Sequence, residues 1–313
     1  MGGSRYAGEP GICTQCGQTY CGDCRLDLDK QTVDCPTCRA PFGVSDAVNF
    51  QRLLTMVRER SPGRHTPVAY CMLGDMRLEG EGVAQNSEEA AKWFRLAADR
   101  GHADGQFNLG ALYEHGNGVA RDTKEAAKWY RLAADQGHPK GQHNLGVFYE
   151  HGKGVVQSYD EAVKWYRRAA DQGDAMGQTN LGVRFHFGKG VAQNVKEAVK
   201  WYRLAADKGH AQAQHNLGIL YARGEGVAKN AKEAVKWHRL AANQGHSKGQ
   251  FNLGIFYEHG NGVAQSYDEA VKWYRLAADQ GHAQAEHNLG AMFIDVRVAM
   301  CKIGAGVERD QSS

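Results

Sequence analysis

The sequence predicts an all-α fold built from stacked copies of one 36-residue helical hairpin, with a small zinc-stabilised module ahead of the stack. Two observations support this prediction. First, each tryptophan follows the previous one by 36 residues: Trp93, Trp129, Trp165, Trp201, Trp237 and Trp273. Such a period indicates one supersecondary unit that has been copied and stacked. Second, residues 13–38 contain six of the eight cysteines, as is typical of a metal-binding segment.

Residues 103–138 represent one unit, and the second half of this unit has the spacing of an amphipathic helix. Apolar or small residues recur at i, i+3, i+4, i+7 and i+8, namely Ala126, Trp129, Tyr130, Ala133 and Ala134. Asp122 precedes this run as the expected N-cap, and Glu125 follows Asp122 by three residues. Gly137 is expected to end the helix.

The first half of the unit predicts an earlier helix around Leu109. Gly110 lies inside that helix, where it costs about 1 kcal/mol relative to alanine, so we expect it to allow a close helix contact. Between the two helices, Gly116-x-Gly118 suits a turn with positive φ. Asn108 is a poor helix former, and its amide is expected to bond a loop backbone.

The unit recurs along the chain with little change. Leu-Gly pairs mark seven first helices, at 73–74, 109–110, 145–146, 181–182, 217–218, 253–254 and 289–290. We therefore expect six full units and a seventh first helix over residues 67–294, with a degenerate tail at 295–313. A linker helix at 45–60, with Val48 and Leu53 near its apolar face, is expected ahead of the array.

Thirteen of the fourteen histidines lie in the array, mostly as copies of the positions of His102, His115 and His143. No carboxylate or cysteine joins them at ligand spacing, so we interpret them as repeated structural residues rather than as a metal array. The unit at 175–210 departs from the pattern at Arg184 and Phe187. We interpret this change as sequence drift, with a local contact site as the alternative.

The unit pattern NLGxxYexGxGVxxdxxEAxKWYRLAAdqGH resembles the Sel-one-like repeat (SLR), a relative of the tetratricopeptide repeat with a longer loop between its helices. The resemblance covers about residues 67–294. It implies a right-handed α-solenoid that serves as a protein-binding adaptor. The expected partner is therefore a protein bound on the solenoid, and the array itself is expected to carry out no chemistry.

The composition limits the other partners. A net charge of +3 gives no electrostatic reason to expect nucleic acid or an acidic membrane. The residues MGGSRYAGEPG lack the apolar core of a signal peptide, and no stretch approaches ~18 apolar residues. We therefore expect a soluble, cytoplasmic protein without a membrane partner, in which clustered cysteines are more often metal ligands than disulfides.

The N-terminal cysteines form three Cys-x2-Cys pairs, which are Cys13 with Cys16, Cys21 with Cys24, and Cys35 with Cys38. Each pair can offer two thiolates to a tetrahedral zinc ion, so all of them are candidate metal ligands. The segment is too short for a hydrophobic core of its own, and zinc binding would supply its folding energy.

Residues 13–42 resemble part of a RING-type zinc finger. CGQTYCGDC at 16–24 is similar to the family's Cys-Gly-His-x-x-Cys-x-x-Cys, and CPTCRAPF at 35–42 is similar to its closing Cys-Pro-x-Cys-Arg-x-Pro-Phe. The resemblance implies a ubiquitin ligase that docks a ubiquitin-conjugating enzyme. By that likeness Pro36 contacts the conjugating enzyme and Arg39 clamps ubiquitin, so that catalysis consists of positioning.

Two departures from the RING pattern bear on the zinc. Gln18 stands at the family's histidine position, and the family's first Cys-x2-Cys pair has no counterpart before Cys13. If Cys13 replaces that histidine, one four-thiolate site is complete, formed by Cys13, Cys16, Cys35 and Cys38. We therefore expect one zinc ion, whereas a second site would lack two of its ligands.

These features leave two hypotheses for the function. In the first, the solenoid recruits a protein and the RING-like module promotes ubiquitin transfer to that protein. In the second, the chain is a non-enzymatic scaffold whose degenerate zinc module only folds or dimerises. Binding of a charged ubiquitin-conjugating enzyme separates the two hypotheses.

Overall fold

The computed structural model describes residues 46–59 and 66–292, and the regular structure in these ranges is α-helical. The thirteen helices of this part are α1 (Asp46–Glu59), α2 (Thr66–Glu79), α3 (Ser87–Ala98), α4 (Ala103–His115), α5 (Thr123–Asp135), α6 (Pro139–His151), α7 (Tyr159–Asp171), α8 (Ala175–Phe187), α9 (Val195–Asp207), α10 (Ala211–Arg223), α11 (Ala231–Asn243), α12 (Ser247–His259) and α13 (Tyr267–Ala278). A further helical segment runs from residue 283 to residue 292. The prediction of an all-α fold is confirmed for these residues, whereas segment 13–42 and tail 295–313 lie outside them.

Within the described residues, helices pack as hairpins in which a first helix lies against the second helix of the same repeat. Helix α4 packs against α5, α10 against α11, and α12 against α13. The second helix of one hairpin also packs against the first helix of the next, as α11 does against α12. The described residues divide into two compact units between residues 165 and 166, and the division falls within α7. Within each unit, the stacking that the 36-residue period predicts is confirmed.

Side-chain caps begin the second helices. Asp122 accepts hydrogen bonds from the backbone N–H groups of Lys124 and Glu125, at 2.8 and 3.1 Å. The predicted cap is therefore confirmed. The equivalent caps of α3, α9, α11 and α13 are Asn86, Asn194, Asn230 and Ser266.

Most first helices begin at a histidine, a role that the sequence analysis did not predict. Nδ1 of His138 accepts a hydrogen bond from the backbone N–H of Gly141 at 2.9 Å, and His246 caps Gly249 in the same way at 3.0 Å. Asp174 takes this position at the start of α8. The histidines that precede α4, α6 and α12 are therefore structural residues that cap these helices, whereas Nδ1 of His210, before α10, lies 2.8 Å from Oγ1 of Thr179 instead.

The turn between the two helices uses its glycines as predicted. Gly116 and Gly118 have φ angles of 78° and 68°, in the left-handed region that favours glycine. A Cβ atom at Gly118 would lie 2.0 Å from the carbonyl oxygen of Ser87, in the preceding repeat. The turn therefore lies directly against the neighbouring hairpin, where no side chain fits.

The most deeply buried column of the array is the residue that follows each tryptophan. None of these residues is more than 1 % exposed, and they are Phe94, Tyr130, Tyr166, Tyr202, His238 and Tyr274. Trp129 itself is half-buried and packs against a cluster that includes Leu109 of its own repeat and Ala91 of the preceding repeat. The tryptophans thus join neighbouring hairpins, while the following ring fills the centre of each hairpin.

Gly110 allows the close helix contact that its position predicts. A Cβ atom there would lie 2.9 Å from Cδ1 of Tyr130, and one at Gly254 would lie 2.6 Å from Cδ1 of Tyr274. A methyl group would overlap the ring in both repeats. The buried ring of the second helix therefore lies directly on the glycine of the first helix.

The expectation that Asn108 bonds a loop backbone is wrong. Its Nδ2 lies 3.1 Å from Oδ1 of Asp75, a side chain in the preceding repeat. In the next repeat the equivalent amide, that of Asn144, bonds the hydroxyl of Tyr130. Buried polar groups need hydrogen-bond partners, and in these two repeats the asparagine amide bonds a polar side chain of the preceding hairpin.

Helix α1 packs against α2 through Phe50 and Leu53, which are both buried. The guanidinium of Arg77 lies 4.8 Å from the centre of the Phe50 ring. Val48, which the sequence analysis placed near the apolar face, is exposed. The apolar face of α1 is therefore centred on Phe50 and Leu53.

Candidate functional site

The residues that the sequence analysis assigns to zinc and ubiquitin lie outside the described residues. They are Cys13, Cys16, Cys21, Cys24, Cys35 and Cys38, with Pro36 and Arg39. The zinc site and the ubiquitin contacts therefore stay predictions. Among residues 46–59 and 66–292, no three His, Cys, Asp or Glu side chains lie close enough together to hold a metal ion.

A groove of ≈ 350 Å³ lies in the second compact unit. It is lined by α10, α11, α12 and the start of the helical segment that follows α13. Its lining residues are His215, Ile219, Ala222 and Arg223 from α10, His238 from α11, Lys248, Phe251, Asn252, Ile255 and Phe256 from α12, and His282 and Gln284. This groove is the candidate functional site.

The helical period brings these side chains onto one face of each first helix. His215, Ile219 and Arg223 follow one another by four residues on α10, and Phe251 and Ile255 do so on α12. Residues with this spacing share a helix face. The two first helices therefore supply the walls of the groove.

The groove lies in a repeat that lacks a tyrosine–glutamate pair present in two other repeats. In two other repeats a buried tyrosine hydroxyl donates a hydrogen bond to a carboxylate 16 residues earlier, and these pairs are Tyr130 with Glu114, at 2.9 Å, and Tyr274 with Glu258. In repeat 211–246 the two equivalent positions hold His238 and Ala222. The phenol is replaced by a smaller ring and the carboxylate is absent, which leaves space beside the ring.

Two buried imidazoles in the groove have unpaired nitrogen atoms. Nδ1 of His215 and Nδ1 of His238 are both buried without a hydrogen-bond partner. The two ring centres are 5.3 Å apart. Burial lowers the pKa of His215 to about 3 and that of His238 to about 4, so both rings are neutral at pH 7. An unpaired buried nitrogen costs about 1–3 kcal/mol, which a bound hydrogen-bonding group can recover.

Positive charge lies at the edge of the groove. Arg223 and Lys248 are both exposed, and none of the twelve lining residues is Asp or Glu. Glu225 partly offsets the charge, because its Oε1 lies 3.7 Å from Nη1 of Arg223, but it does not line the groove. The groove therefore favours an anionic group.

The lining of the groove combines five apolar side chains with seven polar or charged ones. Ile219, Phe251, Ile255 and Phe256 are half-buried, and they surround the histidines. A concave surface on which apolar side chains and polar groups converge can bind a ligand.

The sequence analysis missed this groove, although a signal was present. His238 breaks the column of aromatic residues that follow the tryptophans, and Ala222 replaces a residue that is Glu in several repeats. That these two positions are in contact becomes clear only from two other repeats, in which the equivalent side chains are hydrogen-bonded to each other. The irregular residues that stood out in the sequence, Arg184 and Phe187, lie instead in α8, where Arg184 is buried and Phe187 is exposed.

In the part of the chain that the structure describes, the fold is that of an all-α helical-repeat protein. The family model described as Sel1 repeat matches six consecutive segments, at residues 67–102, 103–138, 139–174, 175–210, 211–246 and 247–282. The chain therefore belongs to the Sel1 repeat family, and the resemblance to Sel-one-like repeats is confirmed. The matched segments begin after the cysteine-rich residues 13–42.

Two solved structures of similar proteins support this assignment. A protective antigen present in uropathogenic Escherichia coli strains, which displays an SLR fold, is 36% identical with a TM-score of 0.69, over 80% of this chain and 53% of that chain. A Sel1 repeat protein from Oxalobacter formigenes is 36% identical with a TM-score of 0.67, over 74% of this chain and 94% of that chain. This chain thus spans about half the length of the E. coli protein. No curated protein matches the chain.

Sel1 repeat proteins are in general protein-binding adaptors. In the part of this chain that the structure describes, no helix has the length and apolar character needed to cross a bilayer.

Proposed function

We propose that this chain is a protein-binding adaptor and that its groove binds a segment of the partner protein. The groove itself is the observation that carries the proposal, because it combines apolar walls, a positive edge and two unpaired buried imidazoles. Membership of a family of adaptors gives independent support. A repeat array presents an extended surface of this kind without needing catalytic residues.

Affinity purification with the full chain as bait tests this role. Ile219 is half-buried in the groove wall, so Ile219→Asp places a charge where the partner binds. Leu240→Asp is the matched control, because Leu240 is exposed on α11 and does not line the groove. We expect Ile219→Asp to lose the partner and Leu240→Asp to retain it, with both variants folded by circular dichroism. The same captured proteins with all three baits would contradict the role of the groove.

We also propose that residues 13–42 bind zinc and promote ubiquitin transfer to the captured protein. The spacing of the three Cys-x2-Cys pairs supports the zinc site, with Cys13, Cys16, Cys35 and Cys38 as ligands of one ion. Zinc would supply the folding energy of this short segment. Arg39 would clamp ubiquitin and Pro36 would contact the ubiquitin-conjugating enzyme.

A scaffold without ligase activity is the second candidate, and Gln18 favours it. This glutamine stands where the RING pattern has a histidine ligand, so the second zinc site and the surface that depends on it are incomplete. In that case the cysteine-rich segment has only a structural function.

Zinc content and ubiquitin transfer distinguish the two candidates. We expect about one zinc ion per chain, and autoubiquitination by a charged conjugating enzyme that falls at least about tenfold in Arg39→Ala, as is typical when a clamp on the reacting groups is lost. Arg25→Ala, in the same segment, is the control. Zinc without ubiquitin chains would favour the scaffold, and a zinc-free chain would contradict both versions.

A further inference from the structure

We propose that the groove recognises a carboxylate of the partner segment, held beside His238 in the place that a glutamate of the chain itself occupies in other repeats. The proposal rests on the adaptor function proposed above and names the chemistry of the partner. The ligand is an acidic side chain flanked by apolar residues.

The other repeats show what the position beside the buried ring accepts. The carboxylates of Glu114 and Glu258 lie within hydrogen-bond distance of the tyrosine that follows the tryptophan. Because the repeats share one backbone pattern, the equivalent space exists beside His238. Ala222 has no carboxylate to fill that space, so an acidic residue of a partner can enter it.

Two imidazoles that line the groove each have a buried nitrogen without a hydrogen-bond partner, which a ligand can bond. His238 is 1 % exposed, and its Nδ1 has no partner. His215 is 5 % exposed, and its Nδ1 is also unpaired. A neutral imidazole can present an N–H at Nδ1, and a carboxylate accepts only, so the two groups are complementary.

The charges around the site favour an anion over a neutral group. Arg223 and Lys248 lie at its edge, on α10 and α12, and Oε1 of Glu225 lies 3.7 Å from Nη1 of Arg223. A bound carboxylate would therefore gain from two cations without displacing an acidic lining residue. This charge pattern separates the proposed ligand from a purely apolar segment.

The walls determine what flanks the carboxylate. Ile219 and Ile255 face the groove from the two first helices, and Phe251 and Phe256 extend this apolar surface. The volume of ≈ 350 Å³ lies at the lower end of the about 300–1,000 Å³ that ligand pockets occupy. It fits a short segment with one acidic and one or two apolar side chains.

Binding is expected to depend on pH. The groups that face His238 are His215 and Arg223 from α10, His246 and Lys248 at the start of α12, and His282 after α13. A carboxylate placed among them raises the pKa of the neutral imidazoles, so the complex takes up protons. Affinity should therefore rise as the pH is lowered from about 8 to about 5.5, where an acidic side chain is still ionised.

The experiment uses the full chain and a random peptide display library. The strongest selected peptide is then synthesised in two forms, with its acidic residue and with the amide in its place (Glu→Gln or Asp→Asn). We expect the selected peptides to be enriched in an acidic residue between apolar ones. The amide form should bind at least about tenfold more weakly, which is the usual effect of losing a charge-assisted hydrogen bond.

The matched variant is Ala222→Glu with His238→Tyr, which gives repeat 211–246 the pair found in repeats 103–138 and 247–282. We expect this variant to fold and to lose the acidic peptide, because its own carboxylate fills the site. Leu240→Glu adds the same charge on an exposed part of α11 and should bind normally.

Several results would overturn the carboxylate site. They are a selection without binders or without acidic enrichment, an amide peptide that binds as tightly as the acidic one, and a double variant that binds as tightly as the natural chain. The comparison of the acidic and amide peptides uses only the natural chain. It therefore tests the carboxylate site even if the double variant of the protein does not fold. A partner that is lost with Ile219→Asp but binds without a carboxylate would overturn the carboxylate site. The proposed adaptor function would then still hold.

Discussion

Nε2 of His138 lies 3.0 Å from Oδ1 of Asp104, a residue of the preceding repeat. Nδ1 of the same ring accepts the hydrogen bond from the backbone N–H of Gly141, so the neutral ring carries its proton on Nε2 and donates it to Asp104. That hydrogen bond lowers the pKa of Asp104. One side chain therefore caps α6 and also ties it to the hairpin before it.

Removing this side chain should weaken both interactions. We expect His138→Ala to reduce the free energy of unfolding by about 1–2 kcal/mol, through loss of the cap and of the hydrogen bond. His138→Asn keeps a capping side chain and should lose less. Urea denaturation at neutral pH measures both variants. An alanine variant as stable as the natural chain would contradict the capping role.

Asp75 should make stability fall as the pH rises. Burial, reinforced by Glu79 and Asp104, raises its pKa to about 7. The same carboxyl titrates near about 4 in the unfolded chain. The folded state therefore binds the proton more tightly, and this contribution is full below about pH 4 and lost as the pH passes about 7.

Urea denaturation between about pH 4 and about pH 8 checks this expectation, because the window spans both pKa values of Asp75. Asp75→Asn should show a smaller decrease in unfolding free energy across the window. Asp99→Asn, at the exposed end of α3, is the control. Identical pH profiles for Asp75→Asn and the natural chain would show that this carboxyl does not titrate as described.

The histidine at the base of the groove should reduce stability in acid. The pKa of His238 is lowered to about 4 by burial, whereas the unfolded ring titrates near about 6.5. Between these values the unfolded chain binds more protons, so the free energy of unfolding falls as the pH falls. His238→Tyr with Ala222→Glu should remove the contribution of His238 and leave that of His215, whose pKa burial also lowers. The double variant should also gain about 1 kcal/mol at neutral pH, because a paired hydroxyl replaces an unpaired nitrogen. Urea denaturation at about pH 7 and about pH 5 measures both chains, since about pH 5 lies between the two pKa values of His238. A double variant that is less stable than the natural chain at both of these pH values would contradict the comparison between repeats.

Trp165 should be important for the stability of its unit. It is 5 % exposed and packs on a cluster that includes Tyr130 and Phe148. We expect Trp165→Ala to lower the free energy of unfolding by about 3–5 kcal/mol, with a clear decrease in the thermal midpoint. Leu132→Ala, at an exposed position of α5, should change it by less than about 0.5 kcal/mol. An unchanged melting curve for Trp165→Ala would contradict the packing between hairpins.

The fold could be predicted from sequence to a large extent, because a repeated unit shows its own pattern many times. The cap at Asp122 and the glycines at 110, 116 and 118 follow from local chemistry, and the structure confirms each of them. The histidine caps were missed because histidine is an uncommon N-cap residue. The partner of Asn108 was missed because it lies in another repeat.

The groove could not be predicted, for a physical reason. It results from two substitutions, at 222 and 238, whose connection is a hydrogen bond between a first and a second helix. Sequence spacing does not show that contact until the hairpin is packed. The zinc ligands, by contrast, were predicted from spacing alone, and they stay a prediction.

Hydrogen–deuterium exchange of the full chain, with and without its purified partner, tests the central claim most directly, because it locates the surface that binds. If the partner binds in the groove, the backbone amides of α10 and α12 exchange more slowly in its presence, and those of α4 do not change. Protection restricted to other helices, with α10 and α12 unaffected, would contradict the claim that this groove is the binding site.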